Sequence, residues 1–300
     1  MSKPRGGRDT RRGGAGQAAR PWRAAGLRGG AGTVFRREGG LLIGGSRFMI
    51  QFRVLFALVM REMTTRFGKS SGGYLWAVVE PVGMIALLSF VFLQIARTPP
   101  LGQSFPLFFA TGFLVFQTWR EIASNIGAAI RGNRPLLAFP RVTLIDTLLA
   151  RFLLQLITSL FVGAVVLGGL IAYDGDNVAL DVAPILTSIA FTALLGLGIG
   201  TLNAVLFIFF SIYERIYGII TRPLFLISGV FFTYENMPFN VQNVIWWNPL
   251  IHLTGYFRTG IYPIYEADYV SLIYVLVFAL APLFIGLLLL RALKTGILER

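Results

Sequence analysis

The sequence predicts an all-α integral membrane protein: six transmembrane helices, an N-terminal amphipathic helix in the membrane interface, and a re-entrant periplasmic hairpin between spans five and six. Three observations predict it. Hydrophobic residues fill 55% of the 300 positions and charged residues only 14%, against about 25% charged in soluble proteins, so the chain has too little polar surface to cover itself in water. Apolar runs recur at the roughly 20-residue length that crosses a bilayer core of about 30 Å. The basic residues are also segregated. With a cytosolic N-terminus, 25 of the 27 Lys and Arg fall inside or near the inner ends of the spans, leaving Arg97 and Arg258 outside. Such asymmetry orients membrane proteins, and it predicts cytoplasmic termini at both ends.

Residues 1–47 are rich in Arg, Gly and Ala and have almost no apolar periodicity. They cannot bury enough surface to offset ordering entropy, so a disordered tail is expected, followed by one transmembrane domain over residues 48–300. Residues 1–72 hold 15 of the 27 Lys and Arg. A nucleic-acid arm is one reading of that charge; a basic flank that fixes topology is the reading preferred, with no nucleic-acid partner. Arg11-Arg12 resembles a twin-arginine signal, but no apolar run follows within reach, and Leu41-Leu42-Ile43 is too short for a signal-peptide core. Translation from Met49 is a further reading of this stretch.

From Met49 the pattern changes. Met49, Phe52, Phe56, Val59 and Met63 step by three and four and share one helical face, while Arg61, Glu62, Thr65, Arg66 and Lys69 lie mostly on the other. That pattern fits a helix lying in the interface. The spans follow at 75–95, 106–128 (with Arg120 and Glu121 in its inner half), 148–173, 184–210, 216–234 and 269–290. Span five runs outward and span six inward, so the residues between them start and end outside. Yet "LISGVFFTYENMPFNVQNVIWWNPL", residues 226–250, is rich in aromatic and aliphatic residues. Pro238 and Pro249 mark helix starts or breaks, and Trp246 and Trp247 suit the headgroup level. Two short helices that dip into the outer leaflet and pack on the bundle are expected; an amphipathic surface loop is the plainer alternative.

Composition excludes several chemistries. There is no cysteine and a single histidine, His252, so disulfides, thiolate metal sites and His clusters are ruled out, and no metal site is expected. Gly68-Lys69-Ser70 ends like a P-loop, but the pattern needs a glycine where Met63 stands. Gly198 and Gly200 lack the third glycine of a dinucleotide fingerprint, since Asn203 stands there; Gly196 and Gly200 instead form a small-xxx-small packing face.

Glu80-Pro81 sits near the inner end of span one. An intramembrane carboxylate is a functional candidate, here for proton coupling; the structural alternative pairs Glu80 with helix-end amides, Arg66 or another inner-leaflet cation. Asp146 and Arg151 are expected to pair with neighbours at the inner end of span three. The short loop "RGNRPLLAFPRVTLID", residues 131–146, sets Leu136, Leu137 and Phe139 among charges. It reads either as a docking surface or as a segment resting on headgroups. Aromatics crowd spans two and five; contact with sugar rings and ordinary lipid packing both account for them.

Four stretches carry a family resemblance: "REMTTRFGKSSGGYLWAVVEP" (61–81), "NRPLLAFPRVTLIDTLLARFL" (133–153), "RPLFLISGVFFTYENMP" and "WWNPLIHL". In this order over about residues 50–300 they resemble ABC-2 type transporter permeases. Within that class they are most similar to capsular polysaccharide export permeases of the inner membrane, with O-antigen permeases the nearest relatives. The Glu80-Pro81 variant of the first motif leans to the capsule branch, and residues 1–47 match nothing in the pattern.

The resemblance implies a permease subunit, not an enzyme, in the bacterial inner membrane. It implies a homodimer joined to two ATPase subunits that hold ATP and Mg, with no cofactor in this chain. ATPase coupling would fall to residues 125–140, with Arg131, Asn133, Arg134, Leu136, Leu137, Phe139 and Pro140. Arg61, Arg66 and Lys69 would belong to a gate helix. Tyr74, Trp76, Phe113, Phe116, Trp119, Phe231, Phe232 and Tyr234 would line the polymer channel. An outer gate over residues 237–263 would include Pro238, Trp246, Trp247 and Pro249. The implied cargo is a lipid-linked polysaccharide. Rival readings are an ABC-2 exporter of another lipid, a drug or a teichoic-acid-like polymer, a proton-coupled carrier using Glu80, and a membrane-embedded sugar-transfer enzyme with Glu80 and Asp146 as its acids.

Overall fold

The computed structural model describes residues 47–67, 72–137, 142–174 and 180–299. Among these, twelve α-helices appear and no strand. In order they are α1 (Arg47–Phe67), α2 (Gly73–Leu93), α3 (Phe105–Gly127), α4 (Ala129–Gly132), α5 (Arg134–Leu137), α6 (Leu144–Asp174), α7 (Val182–Phe209), α8 (Ser211–Leu226), α9 (Phe239–Ile245), α10 (Pro249–Thr259), α11 (Leu272–Ala292) and α12 (Lys294–Glu299). The tail expected over residues 1–47 lies outside the described residues, except that Arg47 opens α1.

Helix starts follow the sequence closely. Asp181 caps α7 by accepting from the Ala183 amide at 3.0 Å, and Asn248 caps α10 by accepting from Leu250 at 3.1 Å, with Pro249 in the first turn. At the start of α6, Thr143 and Asp146 satisfy each other's amides at 3.0 and 3.1 Å, a reciprocal cap. The Asp146 carboxylate is thus used by its own helix.

Four helices are long and apolar enough to cross a membrane: Leu75–Leu93, Leu144–Asp174, Val182–Phe209 and Leu272–Ala292. The other two expected spans differ from these for physical reasons. α3 carries Gln117, Arg120 and Glu121 and buries seventeen of its residues among its neighbours, so little of it needs to be lipid-soluble. α8 has 16 residues, and the expected helix to Tyr234 is a correction: it ends at Leu226. Gly229 adopts φ +77°, and a Cβ there would lie 2.6 Å from the Ile251 side chain. The chain therefore turns under α10 instead of continuing.

α7 is the centre of the bundle, packed on α3 on one side and α11 on the other. Its glycines make both approaches possible. A Cβ at Gly196 or Gly200 would press on Ile122 or Ile126 of α3, whereas one at Gly198 would lie 2.2 Å from the Ala279 carbonyl of α11. Gly286 of α11 answers from the other side, meeting the backbone of Thr201 and Leu202. The small-residue stripe thus serves two partners, one more than its spacing suggested. α1 lies along α6. Large apolar side chains remain on the outside, among them Phe90, Phe161, Ile219, Ile273 and Phe284, each more than half exposed. Such a surface is unsuited to water.

Candidate functional site

At the α4–α5 end of the bundle, charged and amide side chains from four elements meet. Arg151 of α6 donates from Nε to Glu62 Oε1 of α1 at 3.1 Å, and the two side chains are only 16% and 14% exposed. Arg151 Nη1 also reaches the Asn125 carbonyl of α3 at 3.1 Å. Asn133, at the α4–α5 junction, donates to Glu62 at 2.6 Å and accepts from Arg61 at 2.9 Å. Further along α1, Arg66 donates to Gln155 and lies 3.7 Å from Glu121. Gln155 accepts from Asn125 at 3.1 Å and donates to Glu121.

Gly132 lets the network close, because a Cβ there would lie 2.2 Å from Arg151 Nη2. The side of α1 that meets α6 and the α4–α5 junction is mixed: Leu58 is 6% exposed and Glu62 half-buried, while Arg61, Thr65 and Arg66 stay exposed. Phe52 and Phe56 stay 61% and 59% exposed, large apolar side chains on a face that a helix in water would make polar.

The expected coupling residues divide. Arg131 pairs with Glu214 of α8 at 2.5 Å, both part-exposed. Arg134 is exposed and has no ion pair among the described residues. Asn133 is 2% exposed, which corrects its place on a docking surface: its amide is spent on α1. Leu136 and Leu137 are half-buried, Leu137 against the core of this end. Phe139 and Pro140, and Lys69 of the gate group, lie outside the described residues.

The expected channel residues do not form one surface. Phe113 and Phe116 line a cavity of about 370 Å³ between α2, α3 and α8, with Arg120, Tyr217, Arg222 and Phe225. Phe116 and Phe225 stand 5.0 Å apart, Phe225 and Phe231 5.2 Å, and Phe92 and Phe109 5.0 Å. Trp119 is buried behind Phe116. Trp76 faces a different cavity, of about 320 Å³, with Glu80, Gln117, Glu121 and Gln155. Tyr234 is elsewhere, stacked on Tyr269 at 4.0 Å. Tyr74 lies in α2, its side chain outside those described. The partner expected for Glu80 is a correction as well. Glu80 has no hydrogen bond or ion pair among the described residues, because Arg66 turns to Gln155 and Glu121.

At the opposite end, α10 is buried against α3, α7 and α11. It supplies the partners of the unwound residues after α8. Asn248 Nδ2 donates to the Ile227 carbonyl at 3.0 Å, Thr254 Oγ1 to that of Ser228 at 3.0 Å, and Arg258 Nη1 to that of Phe232 at 3.0 Å. Arg258 is 1% exposed, lies 4.2 Å over the Phe108 ring, and also binds Thr111 at 3.0 Å. Irregular backbone away from water needs such satisfaction.

Pro238 precedes α9 and is exposed, and Pro249 is buried. Trp246 is half-buried, its indole donating to the Tyr269 carbonyl at 3.2 Å, while Trp247 is 67% exposed. Two short helices are present here: α10 packs on the bundle, whereas α9 buries only Ile245 and leaves Phe239 and Val244 more than 70% exposed.

His252 is oriented by two backbone contacts. Nε2 lies 2.8 Å from the Trp246 carbonyl and Nδ1 accepts from the Ser271 amide at 3.3 Å. Burial lowers its pKa, partly offset by its backbone contacts. A base with a depressed pKa binds fewer protons folded than unfolded, so stability should fall as pH drops below the ordinary imidazole value of about 6.5. Amide exchange over residues 246–252 should therefore speed up on acidification through that value; a rate free of any step there, after correction for intrinsic exchange, would refute the assignment.

A family model described as ABC-2 type transporter matches residues 53–262, which takes in the network, both cavities and α10. The chain belongs to the ABC-2 type transporter family. This ABC-2 chain is also 32% identical over 255 residues to the polysialic acid transport protein KpsM of Escherichia coli, covering 84% of this chain and 98% of that one. It is 30% identical over 250 residues to the capsule polysaccharide export inner-membrane protein CtrC of Neisseria meningitidis serogroup B, covering 83% and 94%. With the capsule polysaccharide export inner-membrane protein BexB of Haemophilus influenzae it shares 29% over 248 residues, again 83% and 94%. In this family setting, sequence reasoning passed over Glu62 and Gln155 as site members, and placed Asn125 only as the first residue of the 125–140 coupling stretch. Asn125 and Gln155 were detectable as amides within apolar runs, the kind of residue that faces a bundle interior.

Proposed function

We propose that this chain is the permease subunit of an ATP-driven exporter that moves a capsular or related lipid-linked polysaccharide across the inner membrane. One observation carries the mechanical part: the α4–α5 junction is bonded through Asn133 to Arg61 and Glu62 of α1. A push on that junction cannot leave α1 and α6 unmoved. The similarity to capsule export proteins over 83–84% of the chain supports the cargo class.

In this reading six spans cross the membrane, α3 and α8 among them, with both termini cytoplasmic. α1 lies in the inner interface with Phe52 and Phe56 toward lipid, and acts as the gate helix. Two copies pair, and each takes one ATPase subunit at α4–α5 through Arg131, Arg134, Leu136, Leu137, Phe139 and Pro140. ATP and Mg stay on that partner. Closure of the ATPases moves α4–α5, the Asn133 link carries the motion to α1, and the bundles rock apart. The polymer passes along the aromatic cavity of Phe113, Phe116 and Phe225, and the α9–α10 hairpin dips into the outer leaflet as the lid. Deleting the gene in its host should leave polysaccharide inside the cell and none on the surface; an undiminished surface polymer would reject the cargo.

Glu80, without a hydrogen bond or ion pair among the described residues, favours one second reading, a proton-coupled carrier. Glu80→Gln separates the two. The exporter should keep at least about half its rate, since an exposed polar swap disturbs little, whereas a carrier would stop.

A further inference from the structure

The largest cavity described, about 760 Å³, is used by none of the roles above. It lies at the α4–α5 end, between α1, the start of α6 and the end of α11. Most of its lining is apolar, Phe52, Leu55, Leu144, Ile145, Leu149, Leu287 and Leu290, joined by Gln51, Thr143 and Asp146. Its rim is basic. Arg291 and Lys294 are exposed and have no hydrogen bond or ion pair among the described residues. The one acid in the lining, Asp146, is 6% exposed and its Oδ2 accepts from the Thr143 amide at 3.0 Å. An apolar trough under two uncommitted cations is complementary to one class of ligand: an acyl chain carrying an anionic headgroup. Basic pockets between membrane helices at this depth hold such headgroups, and the volume lies in the range of about 300–1,000 Å³ usual for ligand sites. The chain's own Arg-rich N-terminal residues are a poor occupant, since their charge matches that of the rim.

We propose that this cavity binds an anionic glycerophospholipid, with its phosphate at Arg291 and Lys294 and an acyl chain along Leu149 and Leu287. Because Phe52 and Leu55 form one wall, the lipid bridges α1 to α6 and α11. The site is thus a lipid support for α1 in the resting position. It requires only that this end of the bundle meet the inner leaflet, not that the cargo be a polysaccharide.

The test is native mass spectrometry of the full chain, equilibrated with equimolar phosphatidylglycerol and phosphatidylethanolamine of identical chains. One phosphatidylglycerol should survive activation that strips phosphatidylethanolamine. Arg291→Gln with Lys294→Gln should lower its retention roughly 30-fold, while Arg53→Gln, a cation on α1 outside the cavity, should leave it unchanged. Leu149→Trp, which fills the trough and spares both cations, should lower retention as well. Equal retention of the two lipids, or full retention in the double variant, would overturn the proposal. So would an engineered cysteine at Ile145 that cross-links to its copy on a partner chain, assigning the face to a second copy.

Discussion

Arg131→Glu combined with Arg134→Glu is expected to abolish both export and co-purification of the ATPase, while the chain still inserts. Charges at this junction are exposed and part of a basic loop, so reversing two of them replaces attraction with repulsion toward any acidic groove. The fold should tolerate the change. The Arg131–Glu214 pair is a surface ion pair with both side chains more than 40% exposed, and such pairs contribute about 0–1 kcal/mol. Because Arg131 has that internal partner, Arg134→Glu alone is the cleaner probe of docking, and Glu214→Arg in the Arg131→Glu background restores the pair without restoring the loop's charge. Affinity-tagged ATPase pulled through a detergent column is the measurement. Normal recovery of the ATPase with the double variant would end the docking claim.

The second large effect is expected at Glu62 and Arg151. Their side chains are mostly buried, and each also satisfies a further group, Asn133 for Glu62 and the Asn125 carbonyl for Arg151. Removing one partner of such a pair leaves an uncompensated charge, at a cost of about 3–5 kcal/mol. Arg151→Ala should therefore lower the melting temperature clearly and uncouple ATP hydrolysis from export. Glu62→Ala with Arg151→Ala should lose less than the sum of the single changes, because the second removes the charge the first stranded. Strictly additive losses, or an unchanged melt in Arg151→Ala, would show that the pair does not hold α1 to α6.

Much of this fold is legible in the sequence because apolar length and polar caps are local signals. Apolar length places the starts of α6 and α7 at 148 and 184; the Thr143–Asp146 and Asp181 caps set them at Leu144 and Val182. The end of α8 was not legible in that way. Its apolar run continues past Leu226, and what stops it is distant: Ile251 packs where a Cβ on residue 229 would stand, and Asn248, Thr254 and Arg258 satisfy the freed carbonyls. Arg258 reads in sequence as an outward-facing cation, yet it is a buried clamp.

The site follows the same rule. Asn133 looks like a loop surface residue because its partners are 71 and 72 positions away. Glu80 looks paired because Arg66 is near in sequence, but Glu121 and Gln155 claim Arg66 instead. The aromatic residues of spans two and five were readable as a group. Their division between a cavity lined by Phe113 and Phe116 and a separate one lined by Trp76 depends on which way α2 and α3 turn, and a single sequence does not contain that rotation.

On the proposed mechanism, motion enters at α4–α5 from a nucleotide-hydrolysing partner and emerges as polymer transfer. Reconstitution tests it most directly: purified chain and ATPase in sealed vesicles, with lipid-linked polysaccharide on the ATPase side and transfer read by protection from an added glycanase. Transfer should require both proteins and ATP, and should not respond to a pH gradient. Transfer by this chain alone, driven by a pH gradient and indifferent to ATP, would contradict the account.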